Sequence, residues 1–211
     1  LRTPLTVIST SLYLLGMISE PDKKKQKISV VKEQVTLLQT LIENLLDMAR
    51  LDGGQDFEKH FIDVNQLLIA IRETHQAKLT AERNLDIQFR LFDTPMMILA
   101  DQEYLEQALL NIIENAFHYT LDGGTITVST YFEAETIIID VSDTGIGIAE
   151  DDLPHIFERF FRVDEARTER GRAGLGLAIS KKIIEAHNGN IVVNSTLDQG
   201  SHFCVFLPQG Q

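Results

Sequence analysis

The stretch TIIIDVSDTGIGI, residues 136–148, reads as a strand that runs straight into a loop of bare backbone. Residues 136–142 are rich in β-branched side chains, which suit a pleated, half-buried surface. Asp143, Gly145 and Gly147 follow at once. A carboxylate at a strand end can accept a hydrogen bond from an exocyclic amine, and glycines without Cβ let a flat ring approach the main chain. A plain β-turn accounts for Asp143-Thr144-Gly145 equally well, so the loop alone decides nothing. The concentration of glycine carries more weight: Gly145, Gly147, Gly171, Gly174 and Gly176 place five of the 13 glycines in a window of 32 residues. The second cluster, GRAGLGL at 171–177, leads into a helical pattern that ends near His187. Free N–H groups at a helix N-terminus, reached through glycines, form an anion site suited to phosphates.

Outward from this pair, the pattern is mixed α/β. Residues 124–132 form a second Thr/Val/Ile-rich strand, joined to 136–142 by the turn EAE, and 190–196 with 202–207 read as a closing hairpin. Residues 63–81 are helical, with Leu67, Leu68 and Ile71 on one face, and 85–89 and 96–99 are short strands. Asp101 reads as the N-cap of a long helix through Leu105, Leu109, Ile112 and Ile113. Strands and helices segregate instead of alternating. The expected fold of residues 57–208 is therefore an α/β sandwich with helices on one face of a mixed sheet, not a doubly wound fold. Asn111 and Asn115, four apart on the long helix, share a face. Their amide oxygens are hard neutral donors, suited to a Mg2+ whose other ligands are phosphate oxygens and waters. A turn cap at Asn115 and a solvated Asn111 fit the same spacing.

Residues 1–51 have another texture: their only aromatic is Tyr13 and their only glycine Gly16. Ile28, Val31, Val35, Leu38, Ile42, Leu45 and Ala49 follow a heptad seam, and Leu5, Ile8, Leu12 and Leu15 a shorter one. Leu14, Leu37, Leu41 and Leu46 widen both stripes to what a four-helix bundle needs. SEPDKKKQ at 19–26 is the expected turn of the hairpin. Two hairpins from two chains complete the bundle, so residues 1–51 predict a homodimer; packing on the rest of the same chain is the alternative. LDGGQD at 51–56 marks the domain boundary. The class is α+β.

Composition sets limits on function. The chain has 211 residues, 44% hydrophobic and 24% charged, as a folded globular protein does. Nineteen basic against 31 acidic side chains give a net charge of −12. That balance disfavours nonspecific binding to nucleic acid or anionic lipid. Yet Arg159, Arg162, Arg167, Arg170 and Arg172 gather five of the positive charges next to the second glycine cluster, so a local anion site is expected. The single Cys204, expected in the core, excludes an internal disulfide and suits a reducing compartment. No apolar run reaches the length of a membrane span, and no signal peptide is visible. The chain opens at Leu1 without Met and is expected to be part of something longer.

Four segments, NIIENAFHYT (111–120), DTGIGI (143–148), FERFFR (157–162) and GRAGLGLAIS (171–180), resemble in order and spacing the N, G1, F and G2 boxes of sensor histidine kinases. These kinases belong to the wider family of Bergerat-fold ATP-binding proteins. LRTPL at 1–5 resembles their H box, in which the phosphoaccepting His and an acidic residue stand immediately before these letters. The resemblance spans essentially the whole chain. It implies that Asn115 ligates Mg2+ with Asn111 lining the same site, and that Asp143 holds the adenine amino group. Gly145 and Gly147 would admit the base, and Tyr119 would pack against it. Arg162 would reach the terminal phosphate, and Gly174, Leu175 and Gly176 would offer backbone N–H groups to the phosphates. Residues 162–173 would be a mobile lid over ATP, which agrees with their charged, unpatterned composition. Phe157, Phe160 and Phe161 fit a lid anchor or plain core.

The implied reaction moves the ATP γ-phosphoryl group to a His, absent from this chain, and then to an Asp on a response-regulator receiver domain. The implied setting is a cytoplasmic kinase core downstream of a sensor or linker domain. The chain departs from the family at His118, where Lys or Arg is usual, and at Arg172, which replaces a common Gly. His60, His75, His118, His155, His187 and His202 lack an H-box context, so they read as structural or solvated. Thr3 as N-cap and Pro4 at the first helical position need no catalytic explanation. The resemblance adds that Thr3 orients the water that dephosphorylates the regulator. Two other classes compete. ATPases of the gyrase, Hsp90 or MutL kind carry a Glu where this chain has Asn111. A noncatalytic, dimeric nucleotide-binding scaffold would keep the boxes without the transfer.

Overall fold

The computed structural model describes residues 2–54, 57–163 and 174–210. They divide into two units, one of residues 2–53 and one of 54–163 with 174–210. In the first, α1 (Arg2–Leu15) packs against α2 (Pro21–Asp52). The helix α2 begins earlier than the expected turn allowed. Pro21 costs nothing at the first helical position, where its missing N–H has no intrahelical partner, and Asp22 complements the positive end of the helix. The Lys run is therefore helical, and Lys23 Nζ reaches back to Glu20 at 2.9 Å. At the other end Gly53 donates its N–H to the carbonyls of Ala49 and Arg50. Leu5, Leu12, Ile28, Val35, Ile42, Leu45 and Leu46 stay exposed, so one hairpin leaves its apolar seams uncovered. That is the condition of half a bundle.

The second unit holds β1 (His60–Asp63), α3 (Val64–Glu82), β2 (Asp86–Arg90), β3 (Met97–Ala100) and α4 (Gln102–Tyr119). After them come β4 (Thr125–Glu133), β5 (Thr136–Asp143), α5 (Gly176–Ala186), β6 (Asn190–Thr196) and β7 (Gly200–Pro208). Five strands form one mixed sheet in the order β2-β4-β5-β7-β6, with β2 parallel to β4 and every other pair antiparallel. Alternation buries Ile126, Val128, Ile137, Ile139, Val141, Phe203, Val205 and Leu207 on its inner face. The helices supply Leu105, Leu109, Ile112 and Ile113 from α4, and Ile179, Ile183 and Ile184 from α5. Each such side chain contributes roughly 1.5–3 kcal/mol on burial, so this layer holds the unit together.

Two features differ from expectation. A four-residue strand, β1, pairs antiparallel with β3 in a separate small sheet, with His60 opposite Ala100 and Asp63 opposite Met97. Asp63 then caps α3 through the Asn65 N–H and also accepts the Met96 N–H, both at 3.0 Å. Cys204, expected in the core, lies half-buried on β7, and its thiol donates to Asp140 Oδ1 at 3.3 Å. Burial and the Asp140 carboxylate push that thiol up to about 11. Among the described residues no helix is long and apolar enough to cross a membrane.

His187 is buried and structural, as its context suggested. The Asp101 N–H donates to its Nε2 at 2.9 Å, which assigns the proton to Nδ1, and Nδ1 donates to the Ile183 carbonyl at 2.7 Å. Phe57 meets both the His187 and Tyr104 rings edge-on at 5.1 Å, Glu58 N–H donates to the Asp101 carboxylate, and Lys59 Nζ donates to the Ala186 carbonyl at 2.7 Å. Residues 57–59 are thereby pinned to the start of α4 and the end of α5. Burial, first, and the Lys59 charge lower the His187 pKa below that of a free imidazole. The unfolded chain therefore takes up the proton first as pH falls, so this group's stabilisation is complete above about pH 6.5 and lost below it. Chemical denaturation at pH 7.5, 6.5 and 5.5 should show a steeper loss of stability for the wild type than for His187→Gln, which cannot titrate.

Candidate functional site

The end of β5, the loop after it, the face of α4 and the first turn of α5 supply the residues singled out above. On α4, Asn111, Asn115 and Tyr119 recur every fourth residue and so lie along one stripe. Asn111 Nδ2 donates to the Gly176 carbonyl at 3.3 Å, and the buried Ser180 hydroxyl donates to the Ala108 carbonyl at 3.0 Å. These two bonds clamp the first turn of α5 onto α4. A Cβ at Gly176 would stand 3.4 Å from both Cγ and Oδ1 of Asn111, so the two elements are in ordinary van der Waals contact there. The amide nitrogen of Asn111 is thus engaged, and its Oδ1 keeps lone pairs for a cation.

Asp143 ends β5 and is only 6% exposed. Its Oδ1 accepts the Gly145 N–H at 2.8 Å, and the Ser201 main chain also hydrogen-bonds to the carboxylate. Burial raises its pKa, and these two bonds together with the nearby His202 charge pull the other way. A carboxylate has about four acceptor positions. Main-chain donors fill two, which leaves capacity for an amine.

The glycines of the loop serve more than access by a ring. A Cβ on Gly145 would collide with the Tyr119 carbonyl, which accepts the Ile146 N–H at 3.1 Å. Gly147, at φ +65°, abuts the Thr196 carbonyl. The loop is therefore pressed against the end of α4 on one side and the β6–β7 turn on the other. Asp198 N–H donates to the Ile146 carbonyl at 2.7 Å, and Ile148 N–H to Ser195 Oγ at 2.8 Å. Gly200, at φ +94°, leaves no room for a Cβ beside the Asp143 carbonyl.

Near α5, Phe160 N–H donates to the Gly174 carbonyl at 2.8 Å, and Gly174 adopts φ +67° against the Phe161 carbonyl. A Cβ there would also stand 3.2 Å from Arg162 Cγ, so Arg162 sits beside the entry to α5. Its Nη2 is buried and has no hydrogen-bond partner among the described residues. Leu175 is buried, so what it can offer is backbone, and no side chain among the described residues caps this helix start. An uncapped helix N-terminus beside a guanidinium with an unfilled donor suits a polyanion. Along α4 the groove lined by Glu103, Glu106, Gln107, Leu110, Asn111 and Glu114, of about 360 Å³, carries the opposite preference. Of the expected aromatics, Phe160 is 60% exposed, Phe157 lies under Lys181 Nζ at 5.4 Å and Phe161 beside His155, so none is plain core. Gly171, Arg167, Arg170, Arg172 and the rest of the expected lid from 164 onward lie outside the described residues, as does the side chain of Thr3.

Two family models match: the His Kinase A (phospho-acceptor) domain over residues 1–54, and the Histidine kinase-, DNA gyrase B-, and HSP90-like ATPase over 100–211. Sensor protein SrrB of Staphylococcus aureus (strain MRSA252) is 34% identical over 214 residues, covering 99% of this chain and 36% of SrrB. The chain belongs to the sensor histidine kinase family. It spans little more than a third of the curated relatives' length. Among solved structures, Acinetobacter baumannii histidine kinase AdeS matches at 25% identity and a TM-score of 0.80, over 100% of this chain and 97% of that one. Full-length ShkA in complex with AMPPNP matches at 26% and 0.74, over 99% of this chain and 46% of that one.

In this sensor kinase the residues that sequence reading missed are Ser195, Asp198, Gly200 and Ser201. Their signal was the small pair Gly200-Ser201 between two strands, which looks like an ordinary hairpin turn. Gly200→Ala should cost about 3 kcal/mol through the positive φ and the clash with the Asp143 carbonyl. Thermal unfolding should show a fall in Tm on the order of 10 °C.

Proposed function

We propose that this chain is the cytoplasmic catalytic core of a two-component sensor kinase, with residues 1–51 as its dimerisation hairpin and 57–208 as its ATP-binding domain. The observation that carries the reading is the buried Asp143 carboxylate with acceptor capacity to spare, held in the same unit as the unpartnered buried Nη2 of Arg162. Asp143 accepts from the adenine amino group; a guanine would turn a carbonyl towards it and be rejected. Gly145 and Gly147 let the base reach the main chain, and Tyr119, 37% exposed, packs beside it. The N–H groups of Gly174, Leu175 and Gly176 and the Arg162 guanidinium take the phosphates.

The amide oxygens of Asn115 and Asn111 fit a Mg2+ that also takes phosphate oxygens. When bound, such an ion neutralises charge on the transferring phosphoryl group. The chain's own residues otherwise position the nucleotide. The bond from the γ-phosphorus to the bridging oxygen breaks, a bond to an imidazole nitrogen forms, and ADP leaves. Asn111 cannot take a proton from water as a Glu at that position would, which favours the imidazole over hydrolysis. The phosphoryl group then passes to an Asp on a response-regulator receiver domain. The exposed seams of α1 and α2 pair with a second copy, an upstream sensor or linker domain supplies the input, and Thr3 orients water for regulator dephosphorylation. The solved complex of the related ShkA with AMPPNP supports nucleotide binding.

The full-length protein, with its upstream residues, should take acid-labile label from γ-labelled ATP, and Asn115→Ala should abolish it. Asp143→Ala should weaken ATP binding about 10- to 100-fold, the worth of a hydrogen bond to a charged group. Steady ATP turnover by residues 1–211 alone, or no label in the full-length wild type, would overturn the proposal. Thr3→Ala should slow dephosphorylation of the regulator; an unchanged rate would remove that part.

A further inference from the structure

Ser195 lies in β6, outside every segment assigned to the nucleotide, yet its hydroxyl meets three polar groups: one N–H, one carbonyl and one other hydroxyl. Ile148 N–H donates to Ser195 Oγ at 2.8 Å. Ser195 Oγ donates to the Gly200 carbonyl at 2.8 Å, and it lies 3.0 Å from Ser201 Oγ. A hydroxyl has one hydrogen and two lone pairs. With the hydrogen on Gly200 O and one lone pair on Ile148 N–H, the other lone pair accepts from the Ser201 hydroxyl, and the group is saturated.

Each partner leads to Asp143. Gly200 abuts the Asp143 carbonyl. Ser201 pairs with Asp143 in the β5–β7 ladder and hydrogen-bonds to its carboxylate through the main chain. Ile148 ends the loop that Asp143 begins. Closing a hairpin would need only the bond to Gly200. Accepting an N–H from a loop 47 residues away goes beyond that need.

We infer that Ser195 is a positioning residue for base selection: it holds the DTGIGI loop and the β6–β7 turn in the one arrangement that aims the Asp143 carboxylate at an adenine amino group. This rests on the proposed reading of Asp143. Removing the hydroxyl takes away one of the ties between the loop and the turn and leaves the Asp198 N–H to Ile146 carbonyl bond, so the two stay joined but the carboxylate loses its aim while the phosphate contacts near α5 are untouched. Selectivity should fall more than affinity for the phosphates alone.

The test measures equilibrium dissociation constants of the full chain for ATP, GTP and magnesium tripolyphosphate. Ser195→Ala should weaken ATP about tenfold, roughly the worth of the single hydrogen bond between Asp143 and the adenine amine. It should narrow the ratio between ATP and GTP and leave tripolyphosphate unchanged, and Ser195→Thr should restore the wild-type values. In an Asp143→Ala background, Ser195→Ala should add less than about twofold, because coupled groups are not additive. Equal weakening of all three ligands, or full additivity with Asp143→Ala, would overturn the inference in favour of a structural role. If Ser195→Ala does not fold, Ser195→Cys, near in size and a weak donor, carries the same comparison. If Asp143→Ala weakens ATP and Ser195→Ala does not, the inference alone fails. If Asp143→Ala has no effect, the reading of Asp143 and the inference fail together.

Discussion

A carboxylate buried at the end of β5 constrains everything around it. Asp143 cannot be taken out of water without donors, and a charge left unpaired there would cost several kcal/mol. Its donors are main-chain N–H groups of Gly145 and Ser201, so the loop after β5 and the start of β7 must bring their backbones within hydrogen-bond reach of one side chain. Close approach of backbone to backbone leaves no room for Cβ, which explains Gly145, Gly147 and Gly200 together. The glycines thus pack the protein against itself and at the same time leave the carboxylate open for a ligand.

The phosphate end follows a different logic. A chain with a net charge of −12 cannot attract a polyphosphate by its overall field. On the proposed reading it would use short-range chemistry instead: the N–H groups at the start of α5 and a guanidinium whose buried Nη2 has no partner among the described residues. Asn111 and Ser180 clamp that helix start to α4, so the groups suited to metal and those suited to phosphate belong to one rigid layer. The acidic groove along α4 shares Asn111 with that layer, and its Glu103, Glu106 and Glu114 would repel a misplaced phosphate chain.

Much of this was legible in the residues. The heptad seam, the Asp101 cap and the strand pairs 125–133 with 136–143 are local patterns, and local patterns survive in sequence. What was missed is non-local. Strand β1 has only four residues and exists because β3, nearly forty residues on, pairs with it. The start of α2 at Pro21 was hidden because Pro serves a turn and a first helical turn equally well. Cys204 looked like core because it alternates with apolar neighbours on both sides, but the outward row of β7 sets it beside Asp140. Ser195 read as one more residue of the strand 190–196 and Gly200 as part of the turn after it, until their partners across the sheet were visible.

The account stands or falls on whether the Asp143 loop recognises adenine. Amide hydrogen exchange of the chain in Mg-ADP and in Mg-GDP, resolved residue by residue, tests that directly. The account predicts that ADP slows exchange at Ile146, Ile148 and the first turn of α5, whereas GDP protects at most the first turn of α5. No protection by ADP, or equal protection of residues 146 and 148 by both nucleotides, would contradict it.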